Sequence, residues 1–76
     1  MSVTVKVPRL GVTMEEGTIS SWLVEDGEMV AVGQPLYVLE TEKVEQEIES
    51  AAGGVVTHLV EAGETLSVGT PVAEIG

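Results

Sequence analysis

Leu36-Tyr37-Val38-Leu39-Glu40-Thr41-Glu42-Lys43-Val44-Glu45-Gln46-Glu47-Ile48-Glu49 reads as two strand-like runs, 36 to 41 and 44 to 49, so the residues joining them should form a tight hairpin tip. In the second run Glu45, Glu47 and Glu49 share one face, and Val44, Gln46 and Ile48 share the other. The acidic face belongs in solvent. Gln46 breaks the inward pattern, so it either lies near a sheet edge or has a polar partner. Glu42-Lys43 is poor turn chemistry, because two-residue hairpins favour Asn-Gly, Asp-Gly or Gly-X, which reach positive φ at little cost. Something other than the turn has selected these residues. Lys43 is one of only two lysines and reads as an attachment site, against the alternative of an ordinary solvated hairpin lysine.

Short strands continue on either side. Val3, Val5 and Val7 alternate with Thr4 and Lys6, and Pro8 should end their pairing. Residues 9 to 16 read as an irregular surface segment, with Gly17 as a bend into the next strand. Strands are expected over 18 to 24, briefly over 29 to 32, over 55 to 60, around Leu66, and over 72 to 75. Turns fall at Asp26-Gly27, Gly33-Gln34-Pro35 and 51 to 54. About eight strands at this spacing predict an all-β sandwich or flattened barrel.

A repeat supports this reading. Ile19 to Glu40 set against Val55 to Gly76, a constant offset of 36, gives eight identities in 22 positions without a gap. The matches include Gly27 with Gly63, Gly33 with Gly69 and Pro35 with Pro71, so two structurally similar halves are expected. Before Ile19 the best match shifts: Val3 to Val7 align with Val44 to Ile48 at an offset of 41. The first half then carries about five extra residues near Arg9 to Met14, a candidate functional loop. In a pseudo-twofold sandwich the join that holds Lys43 sits at one extremity and the chain termini sit at the other.

Composition narrows the function. With 76 residues and no cysteine, a single small domain must rely on efficient burial, and fourteen valines with no phenylalanine suit pleated strands. A net charge of -10 argues against nucleic acids and acidic membrane surfaces, and favours solubility and basic partner surfaces. Neither a membrane-length apolar run nor a signal-peptide pattern follows Met1-Ser2-Val3, so a cytoplasmic protein or an excised piece of one is expected. One histidine, His58, and one aspartate, Asp26, leave nucleophilic triads without parts. No calcium-loop, dinucleotide or phosphate-loop pattern occurs, so no metal ligands are assigned. His58 takes the repeat position of Trp22 and reads as a structural or surface residue. An exposed lysine on a short, stiff turn suits a covalently carried cofactor, since a modifying enzyme can reach it and a long arm can leave it.

The chain resembles the biotinyl and lipoyl attachment domain family, and its lipoyl branch in particular. The resemblance runs from the first valine strand to Ile75. It rests on Val7-Pro8, Met14-Glu15-Glu16-Gly17-Thr18-Ile19, the turns at Gly27 and Gly33, and Glu40-Thr41-Glu42-Lys43-Val44, where the family motif has the form Glu-Thr-Asp-Lys-Ala. Glu42 replaces the commoner Asp and Val44 the commoner Ala. The resemblance implies one lipoyl-type domain over residues 1–76, monomeric in isolation: a flattened barrel of two four-stranded antiparallel sheets with lipoate amide-linked to Lys43. It implies that a lipoate ligase or lipoyl transferase reads the hairpin residues Glu40, Thr41, Glu42 and Val44, together with Gly54. It also implies that the loop Arg9, Leu10, Gly11, Val12, Thr13 and Met14 lies beside the arm and is recognised by a thiamin diphosphate-dependent decarboxylase.

The resemblance further implies a non-catalytic carrier of a 2-oxo acid dehydrogenase complex, of pyruvate or acetoin type. The arm would serve the decarboxylase, the acyltransferase core and dihydrolipoyl dehydrogenase, in the cytoplasm of a bacterium or the mitochondrial matrix of a eukaryote. The rival within the fold is a biotin carrier of a carboxylase, which usually has methionine on both sides of the lysine, unlike Glu42 and Val44 here. A glycine-cleavage carrier resembles a longer chain with added helices. An unmodified β interaction module is the third alternative.

Overall fold

The computed structural model describes residues 2–76; Met1, which opens the segment read as leading straight into a strand, lies outside them. Eight strands follow: β1 Val3–Lys6, β2 Glu16–Trp22, β3 Met29–Val30, β4 Pro35–Glu40, β5 Glu45–Glu49, β6 Gly54–His58, β7 Thr65–Ser67 and β8 Pro71–Ile75. They form two four-stranded sheets, ordered β1-β8-β6-β3 and β5-β4-β2-β7, and every paired strand is antiparallel. This is the two-sheet all-β architecture expected from the turn spacing. The inner faces meet in a core of Val7, Ile19, Val24, Val30, Leu36, Tyr37, Leu39, Val56, Val72, Ala73 and Ile75. Burying each larger apolar side chain contributes roughly 1.5–3 kcal/mol, and a chain with no cysteine has no disulfide to add to it.

The two halves repeat bond by bond. Glu25 N–H donates to the Glu28 carboxylate (3.0 Å), and Glu61 N–H donates to that of Glu64 (2.6 Å). Gly27 and Gly63 hold φ of 87° and 94°, values that only glycine reaches cheaply, so each half reverses at the same place. Both halves also carry the same bulge. β5 skips Leu36 in its register with β4, β1 skips Val72 in its register with β8, and each skipped residue is fully buried. A bulge turns an extra side chain out of the alternation, which lets β4 and β8 bury two consecutive residues each.

Pairing corrects the sequence register in two places. Ile19 N–H donates to Glu64 and Ile19 C=O accepts from Gly63, while Val56 makes the same pair of bonds with Glu28 and Gly27. Ile19 is therefore equivalent to Val56, not Val55. The reason is a bulge in β2: Ile19 faces Leu39 and Ser21 faces Val38, leaving Ser20 as the additional residue. Upstream, Val5 faces Ala73 as Ile48 faces Tyr37, which sets an offset of 43 in place of 41. Since Gly17 and Gly54 both stand two residues before the equivalent Ile19 and Val56, the first half is longer by six residues between Val7 and Gly17.

Other expectations shift slightly. Gly17 is inside β2 rather than at a bend before it, and φ there is not positive. A Cβ on it would sit 2.8 Å from Leu39 Cδ1 and 3.1 Å from Met14 Cε, so close packing selects the glycine. Pairing with the Ser67–Thr70 turn runs on through Val7 before Pro8 ends it. Gln46 is exposed on β5, an outer strand of its sheet, which answers its break in the pattern.

Candidate functional site: the Lys43 hairpin

β4 and β5 pair as far as Glu40 opposite Glu45, and residues 41 to 44 form the tip. Two like charges directly opposite each other work against this hairpin, so its closure needs other support. Thr41 supplies it. Its backbone N–H donates to Val44 C=O at 2.8 Å. Its hydroxyl oxygen accepts from Val44 N–H at 3.2 Å, more weakly from Lys43 N–H at 3.4 Å, and donates to Val44 C=O at 3.3 Å. A side-chain oxygen thus takes the place of a main-chain acceptor, and no residue of the tip adopts positive φ. This is the physical reason Glu42-Lys43 can occupy a position that turn statistics give to glycine.

Glu42, Lys43 and Val44 are exposed, and Glu40 stands exposed at the end of β4. The tip forms one bank of an open groove of about 570 Å³, bounded on that side by Glu40 to Val44. The other bank is the β1–β2 loop with the start of β2, from Leu10 to Thr18, and Thr65 of β7 closes one end. The loop holds its own shape: Met14 N–H donates to Gly11 C=O (3.2 Å), Leu10 N–H to Met14 Sδ (3.1 Å), and Arg9 Nη1 to Val12 C=O (3.2 Å). Leu10 and Met14 pack on the core, whereas Val12 is 91% exposed at the loop's crest.

The structure therefore brings Leu10, Gly11, Thr13 and Met14 together with Glu40, Thr41, Glu42, Lys43 and Val44. Arg9 and Val12 belong to the same loop but are not among the groove-lining residues. Gly54 is in the other sheet, paired with Val30, and takes no part in the groove. Its φ of 150° and a contact with Gly76 backbone, 3.1 Å from where a Cβ would be, account for a glycine there. Glu15, Glu16, Gly17 and Thr18, which carry the resemblance but no assigned site role, also line the groove, as does Thr65. Thr18 could have been found from its place next to the loop. Thr65, bonded hydroxyl to hydroxyl with Thr18 at 2.8 Å, lies 47 residues away and left no local signal.

Away from the groove, Trp22 and His58 stack at 3.8 Å between ring centroids and 12° between planes, and Trp22 meets Tyr37 at 5.2 Å. His58 backbone N–H is capped by Asp26 Oδ1 (2.9 Å). Two residues 36 apart thus touch across the pseudo-twofold, which favours the structural over the surface reading of His58. Among the described residues, no group of three His, Cys, Asp or Glu side chains is placed to hold a metal ion.

A family model described as "Biotin-requiring enzyme" matches residues 3–75. The chain belongs to the biotinyl/lipoyl attachment domain family. Members of this family in its lipoyl branch are carrier modules, not catalysts. The chain is 39% identical over 75 residues, 96% of its length, to a dihydrolipoyllysine-residue acetyltransferase component of a pyruvate dehydrogenase complex from Zymomonas mobilis. It is 43% identical over 70 residues, 91% of its length, to a lipoamide acyltransferase component of a branched-chain alpha-keto acid dehydrogenase complex from Bacillus subtilis. It spans only 17% and 16% of those two relatives. The lipoyl domain of the 2-oxoglutarate dehydrogenase complex from Azotobacter vinelandii superposes with a TM-score of 0.79 at 25% identity, covering 97% of this chain and 95% of that one.

Proposed function

We propose that the chain is a lipoyl carrier domain, modified on Lys43, that shuttles acyl groups and electrons within a 2-oxo acid dehydrogenase complex. One observation carries the reading: a lysine exposed at the tip of a stiff hairpin, flanked by Glu42 and Val44, within a fold shared with lipoyl domains. The fit to lipoate is physical. An amide formed at Lys43 Nζ leaves from the tip into open solvent, and the neighbouring groove offers Leu10, Met14 and Val44 as apolar surface for an uncharged arm. When bound, the dithiolane supplies acyl and two-electron transfer. The protein's own residues do the rest: Thr41 and the β4–β5 pairing hold Lys43 away from the body, and the Arg9 to Met14 loop presents a shaped surface beside it.

A ligase or transferase attaching lipoate, a thiamin diphosphate-dependent decarboxylase, an acyltransferase core and dihydrolipoyl dehydrogenase are the partners this role needs. Relatives named for pyruvate, 2-oxoglutarate and branched-chain complexes match the chain at comparable identity, so the pyruvate or acetoin assignment rests on the opening motif alone. Biotin is the second reading, favoured by the family description and opposed by the flanking residues. Intact-protein mass spectrometry with peptide mapping, after expression in cells supplied with lipoate and biotin and carrying both ligases, separates the readings. A lipoyl increment on Lys43 that disappears in Lys43→Arg supports the carrier role. A biotin increment moves the chain to the carboxylases, and none on folded protein removes both.

A further inference from the structure

We infer that Thr41 is a positioning residue for modification of Lys43, acting through the backbone of the tip and not as a side chain that the modifying enzyme reads. The inference rests on Lys43 being the modified residue. A hydroxyl has one proton and two lone pairs, and Thr41 commits all three to the tip: Val44 C=O, Val44 N–H and Lys43 N–H. The turn can then close with every φ negative, although neither Glu42 nor Lys43 is a turn former and Glu40 opposes Glu45. Without the hydroxyl, the Val44 and Lys43 amides lose their acceptor and turn to water. The tip samples several conformations, and Lys43 presents its amine correctly in only a fraction of them. A modifying enzyme must then order the tip on binding, so apparent affinity falls by that fraction.

Thr41→Val keeps the branched shape and removes the hydroxyl, Thr41→Ala does so without the branch, and Thr41→Ser restores the oxygen. Water-exchange of the Val44 amide in the unmodified domain, followed by NMR, is expected to rise about threefold to tenfold in the Val and Ala variants, the range of one ordinary net hydrogen bond. The Ser variant should stay within about twofold of wild type. With purified lipoate ligase, KM for the domain is expected to rise by the same factor in the Val variant with kcat nearly unchanged, and to be rescued by Ser. A Val variant whose tip exchanges like wild type overturns the inference, as does a loosened tip with unchanged KM. An ordered tip that is no longer modified shows direct reading of the hydroxyl and also overturns it. If wild type is not lipoylated at all, the carrier reading falls by that result, while the exchange data judge the hydroxyl's hold on the tip separately.

Discussion

Gly17 and Gly54 hold equivalent places two residues before Ile19 and Val56, yet glycine is needed at each for a different reason. At Gly17 a methyl group would overlap Leu39 Cδ1, a buried side chain with little room to retreat, so Gly17→Ala is expected to lose about 1–3 kcal/mol in denaturant unfolding. At Gly54 the φ of 150° and the Gly76 backbone act together. Tyr37 offers a test with the opposite sign. Among the described residues its hydroxyl has no hydrogen-bond partner, and burial pushes its pKa from 10.0 up to about 12. The unfolded chain therefore releases this proton first. The contribution is complete below pH 10 and is lost as pH climbs towards 12, at up to roughly 1.4 kcal/mol per pH unit. Tyr37→Phe should equal or slightly exceed wild-type stability at pH 7 and flatten this alkaline loss, measured as the difference between the two urea titrations across pH 9 to 12.

The β1–β2 loop differs from its counterpart because it has length to spare. Six residues beyond what the second half needs are anchored inward by Leu10 and Met14, which leaves Val12 exposed at the crest. Nothing in the fold requires that valine. Val12→Ser should change unfolding free energy by less than about 0.5 kcal/mol and leave modification of Lys43 intact. In the lipoyl carrier role proposed above, acylation of the loaded domain by a thiamin diphosphate-dependent decarboxylase should nevertheless fall, chiefly through a higher KM; an unchanged KM would exclude the crest from that contact. The acidic outer face of β5 protects another element. An outer strand has unpaired backbone groups, and Glu45, Glu47 and Glu49, all exposed, keep a second strand from adding there.

Over the whole molecule, a net charge of -10 on a body of 32 × 19 × 19 Å sets up a field that any basic partner surface feels before contact. Modification measured as kcat/KM with ligase is expected to fall several-fold between about 20 and 200 mM NaCl, mainly in association, as screening shortens the reach of that field. A salt-independent rate would mean that the charge serves solubility alone.

What could be read from the residues in order was whatever local chemistry writes down. Valine alternation, the Asp26-Gly27 and Gly33-Pro35 turns and the repeated glycines announced eight strands in two like halves. Lys43 stood out because its turn chemistry was wrong for an ordinary tip. Contacts between distant residues decided the rest. Ser20 bulges out because Ile19 and Ser21 must meet Leu39 and Val38, which moves the true register of the repeat by one residue. The first strand is equivalent to β5 at a different offset from the one its valines suggested, because pairing with β8 and not side-chain likeness sets it. Gly17 is a glycine on account of Leu39, and Trp22 stacks on His58 across the pseudo-twofold. The groove needs Thr65 beside Thr18. Period and turn type act over a few residues and are visible in the chain; bulges, register and groove walls follow from which side chains share one small core, and only folding brings those together.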